Sequence, residues 1–134
     1  MKTPDPPPTA ALDHEALSGL VQAFYARLRR DDVLGPVFDR AIAPEDWPPH
    51  LARMADFWSS VMLGSGRYHG QPMAAHLRHR DAIAPEMFDL WLGHWQDTAK
   101  ALLSPADADA VTAKARRIAK SLGLALFFRL PSAV

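Results

Sequence analysis

Apolar residues recur along this chain at intervals of three and four, and no stretch shows the apolar–polar alternation of a half-buried strand. A three-to-four period stacks side chains on one face of an α-helix, whereas a strand face needs a period of two. The prediction is an all-α fold of four main amphipathic helices joined by short turns. Asp13 is a good N-cap for the first, which carries Leu17, Leu20, Val21, Phe24 and Leu28 on its core face and Tyr25 at the edge of that face. Gly35 and Pro36 are expected to break this helix and to leave Phe38 at the start of a connection.

A second helix is expected from Trp47, with Pro48 and Pro49 in its first turn, where missing amide donors are tolerated. His50, Met54, Phe57 and Val61 fall on one stripe of it, widened by Leu51, Trp58 and Met62. "GSGRYHGQP" reads as a loop, and "MAAHLRH" leaves room for one or two helical turns. Pro85 opens a helix with Phe88, Trp91, Leu92, Trp95, Ala99 and Leu102 on its stripe. Ser104, Pro105 and Asp107 start the last one, whose buried face is Val111, Ala115, Ile118, Leu122 and Leu126. Lys114, Arg116, Arg117 and Lys120 fall largely off that face and read as a solvated surface.

The chain has 134 residues, the size of one domain. A helical domain is expected over residues 13–128, between a proline-rich disordered tail at 1–12 and a short tail at 129–134. Formal net charge is zero with the histidines neutral, so no charge excess steers the chain to nucleic acid or anionic membrane. No apolar run approaches the roughly 20 residues of a membrane span, and the N-terminus lacks the apolar core of a signal peptide, so a cytoplasmic protein is expected. With no cysteine there is no disulfide, thiolate metal site or thioether-linked haem.

His50 and His76 stand where the pattern asks for apolar residues. Each alone reads as a core histidine whose nitrogens find partners, and the aromatic stripe alone reads as core, which gives a cofactor-free helical interaction module. Together with Tyr25 and the indole stripe they also suit a wide, flat, apolar guest such as haem, which needs one neutral imidazole on iron and an apolar slot. Phe24, Phe38, Met54, Phe57 and Trp58 are the candidate walls of that slot. His69, His76 and His79 lack the Asp, Glu or Cys partners of a zinc site, and Ser59 and Ser60 lack the setting of a catalytic nucleophile. Asp31 and Asp32 read as solvent-facing turn residues.

Three separated stretches, "FYARLRRDDVLGPVFDRAI", "DWPPHLARMADFWSSVMLGSGRYHGQPMAAH" and "FDLWLGHW", resemble the third group of truncated haemoglobins in order and separation. The resemblance spans residues 14–127. It implies a short-helix globin sandwich around haem b, with a very short proximal helix. His76 matches the proximal iron ligand. Tyr25, His50 and Trp91 match the distal tyrosine, histidine and tryptophan, Phe38 the aromatic against the haem face, and Arg53 a residue reaching a propionate. The implied partners are dioxygen, nitric oxide, carbon monoxide or similar ligands and an unidentified reductase, with possible nitric oxide dioxygenase or peroxidase-like activity.

Overall fold

In the computed structural model, residues 12–127 are described and form α-helices joined by turns, with no strand among them. The order is α1 (His14–Arg30), α2 (Leu34–Ala41), a 3₁₀ turn (Pro44–Asp46), α3 (Trp47–Leu63), α4 (Pro72–Arg78), a second 3₁₀ turn (Arg80–Ala82), α5 (Pro85–Leu102) and α6 (Pro105–Phe127). The tails expected at either end lie outside the described residues, apart from Leu12.

Helix α1 begins where the Asp13 carboxylate accepts the Ala16 amide at 2.8 Å, satisfying one of the donors that a helix start leaves free. Its stripe of Leu17, Leu20, Val21, Phe24 and Leu28 is at most 1% exposed. It packs on α2, α3 and α5, while α6 covers α5. The short α4 rests chiefly on α6. Val111, Ala115, Leu122 and Leu126 are buried on α6 as their spacing predicts, with Ile118 partly buried beside them. Gly64 ends α3 at φ 68°, a left-handed conformation that favours glycine.

The first break lies earlier than Gly35 and Pro36 suggest. α1 ends at Arg30, and Gly35 and Pro36 sit in the first turn of α2, where a missing amide is harmless. A Cβ at Gly35 would come within 2.6 Å of the Arg29 carbonyl oxygen, so glycine is there for close packing of the corner. Phe38 consequently lies within the short helix expected of this connection, which runs for eight residues. Asp31 makes the corner, and it is not a solvent-facing residue: its side chain is 15% exposed. Its amide closes α1 on the Leu28 carbonyl, its Oδ1 accepts the Val33 and Leu34 amides at 2.8 and 2.9 Å, and its Oδ2 meets His94 Nε2 of α5 at 2.8 Å.

Candidate functional site

Tyr25, Phe38 and His50 converge from α1, α2 and α3. The Tyr25 ring meets Phe38 edge-on at 5.7 Å and His50 at 5.1 Å. Trp47, which sequence reasoning took only as a helix opener, completes the group: it lies 5.7 Å from Tyr25 and 5.5 Å from His50, with the Arg29 guanidinium 4.3 Å over its ring. Edge-to-face pairs at these separations hold each ring in one orientation.

This apolar setting fixes the protonation of both polar members. Burial holds the Tyr25 phenol well above the usual range, so it stays protonated and a donor. Burial, then the nearby charge of Arg53, pushes the His50 pKa down to about 4, so the imidazole is neutral at neutral pH. His50 Nε2 is buried without a hydrogen-bond partner among the described residues. An orphaned buried nitrogen is a costly feature in a plain core and an expected one at the border of a ligand cavity.

His76 stands apart on α4. Its Nδ1 lies 2.7 Å from the Pro72 carbonyl oxygen. A carbonyl only accepts, so Nδ1–H is the donor, and this bond fixes the orientation of the ring as such bonds do in ligating imidazoles. Among the described residues no three His, Asp or Glu side chains cluster around a metal position.

The two indoles of α5 differ. Trp95 is fully buried and its Nε1–H donates to the Val111 carbonyl at 3.1 Å. Trp91 is half-buried, edge-on to Phe24 at 5.7 Å, and Phe24 in turn touches Tyr25 at 5.2 Å. Of the other predicted lining residues, Met54 and Phe57 are half-buried against the core. Trp58 is more enclosed, at 4% exposed, and stacks on Trp95 at 4.3 Å. Arg53 is exposed on α3. Ser59 and Ser60 pin the glycine loop: Ser59 Oγ bonds Ser65 Oγ, and Ser60 Oγ accepts the Tyr68 amide, both at 2.9 Å. Tyr68, unremarked in the sequence reading, packs edge-on to Phe57 at 5.2 Å.

The structure is an all-α helical sandwich that groups a protonated phenol, a neutral imidazole and several aromatic rings where α1, α2 and α3 meet, with a second imidazole on the two-turn α4. Comparison with known proteins agrees. Residues 13–122 match the bacterial-like globin family. Over 110 residues the chain is 31% identical to a group 3 truncated hemoglobin of Campylobacter jejuni, covering 81% of this chain and 86% of that one. The crystal structure of group III truncated hemoglobin from Campylobacter jejuni is similar at a TM-score of 0.81 and 28% sequence identity, covering 92% of this chain and 98% of that chain. The chain belongs to the bacterial-like globin family and has the truncated globin fold of its third group.

Proposed function

We propose that residues 13–128 form a haem b domain that binds dioxygen, nitric oxide, carbon monoxide or similar diatomic ligands, with redox activity on the ligand supported by an external electron donor in the cytoplasm. The observation that carries this reading is the Nδ1 contact of His76 with Pro72 O, which orients the ring and would leave Nε2 to take iron. When bound, haem supplies an iron with an open coordination position and one-electron redox chemistry. His76 would hold that iron. Phe38, Met54, Phe57 and Trp58 would wall the ring, and Arg53, one turn after His50, would pair with a propionate.

On the distal side the chain's own groups act by hydrogen bonding. Tyr25, kept protonated by burial, would donate a hydrogen bond to a bound ligand. Trp91 contributes an indole N–H from the margin of α5. Neutral His50 offers an acceptor or a donor according to its tautomer. Each charge-assisted bond is worth about 1.5–3 kcal/mol, which slows ligand release and favours chemistry on the ligand over simple delivery. An absorption spectrum of the recombinant protein with and without added haemin tests the reading. A sharp Soret band that survives desalting is expected; its absence with intact helical circular dichroism would leave a cofactor-free helical module.

A further inference from the structure

Three of the four tryptophans in this chain touch one another. Trp91 and Trp95 lie nearly parallel, 8° apart with ring centroids at 6.1 Å, and Trp58 stacks on Trp95 at 4.3 Å and 23°. Phe57 then stands edge-on to both Trp58, at 5.6 Å, and Tyr68, at 5.2 Å. The line runs from a half-buried indole on α5, through two buried ones, to a half-buried phenol in the loop before α4.

The members differ in where a proton can go when an electron is removed. Oxidised indole sheds its N–H proton only to a base or to water. Trp95 gives that N–H to the Val111 carbonyl inside the core, and a carbonyl is no base, so an oxidised Trp95 keeps its proton and passes the charge on. Tyr68 sits in the loop, where water can take its hydroxyl proton and trap the charge. Tyr25, the other tyrosine, is enclosed by Phe24, Phe38, Trp47 and His50. Tyr68 is also firmly placed: its amide is tied to Ser60, and a Cβ on Gly70 would come to 2.6 Å from Tyr68 Cζ, so the glycine leaves room for the ring.

We propose that Trp91, Trp95 and Trp58 form a one-electron relay that draws an electron from Tyr68 when the domain meets a peroxide. The relay rests on the haem reading above for its oxidant. Hydrogen peroxide takes two electrons and two protons to give two waters. For each electron sent through the stack, Tyr68 releases its hydroxyl proton to solvent and becomes a neutral phenoxyl radical. A small phenolic donor, ArOH, resets it by giving up one hydrogen atom. The balance over two electrons is H₂O₂ + 2 ArOH → 2 H₂O + 2 ArO•.

Pulse radiolysis of the full chain tests the relay without depending on haem, because azide radicals oxidise indoles directly. The indolyl absorption should decay as a phenoxyl absorption rises, at a rate independent of protein concentration. That rise should largely vanish in Tyr68→Phe, a conservative loop change, and slow several-fold in Trp58→Phe. A rise that survives undiminished in Tyr68→Phe overturns the proposal, as does the absence of any rise in the wild type, while a small residual rise is that of Tyr25 beside Trp47. In a second arm, haem-loaded protein is mixed with hydrogen peroxide and frozen for electron paramagnetic resonance, where a phenoxyl signal lost in Tyr68→Phe is expected. A loaded protein with no such signal contradicts the relay's peroxide role. A chain that takes up no haem defeats the function proposed above while leaving the radiolysis result standing.

Discussion

Acid should destabilise this protein in part through one enclosed imidazole. Burial and the charge of Arg53 move the His50 pKa from 6.5 down to about 4. Between those values the unfolded chain binds a proton that the folded chain does not. The stability that His50 contributes is therefore present above pH 6.5 and is lost as the pH falls through the folded value. At full value the shift is worth about 3 kcal/mol. The ring is only partly enclosed and Arg53 is exposed, so solvent screens much of it, and about 1–2 kcal/mol is the expected loss. His50→Gln keeps a polar side chain of similar size that does not titrate. Denaturant melts at about pH 7 and about pH 4.5, with both proteins in the same haem state, should show the wild type losing about 1–2 kcal/mol more than the variant. Equal losses, or a larger loss in the variant, would refute the placement of a neutral imidazole beside Tyr25 and Trp47.

Tyr25→Phe removes only a donor, so stopped-flow should find oxygen dissociation faster by about tenfold or more; an unchanged rate would move Tyr25 out of the ligand's reach. Trp95→Ala empties the middle of the core and removes the indole bond to the Val111 carbonyl, and should cost about 3–5 kcal/mol in denaturant melts. Trp91→Phe should instead alter the iron–CO stretching frequency while shifting the melting temperature little, and the reverse pattern would swap the two roles. Asp31→Ala loses the α2 cap and the His94 contact together. It should cost about 1–2 kcal/mol and speed hydrogen exchange at the Val33 and Leu34 amides, and unchanged exchange would show that the corner does not depend on the carboxylate.

What was legible in the sequence was whatever a single helix can display. The α1 and α6 faces follow from spacing alone. Gly35 and Pro36 misled because residues that break a helix interior are equally at home in a first turn. The pairing of Asp31 with His94 spans 63 positions, and no local pattern announces a partner that distant. Trp47 looked like punctuation before two prolines, although folding turns its ring onto Tyr25 and His50. Tyr68 lay hidden in a loop because its place depends on Ser60 and on the room left by Gly70. The candidate iron ligand was legible only through the resemblance of several motifs at once, since a lone histidine on a short helix says little by itself.

The central claim is that His76 Nε2 is the iron ligand, and resonance Raman spectroscopy of the ferrous protein tests it most directly. The wild type should give an iron–imidazole stretching band. His76→Gly should lose the band and most haem retention, and both should return with added imidazole. A band that persists in His76→Gly without imidazole, or one that disappears instead in His69→Ala or His79→Ala, would contradict the assignment.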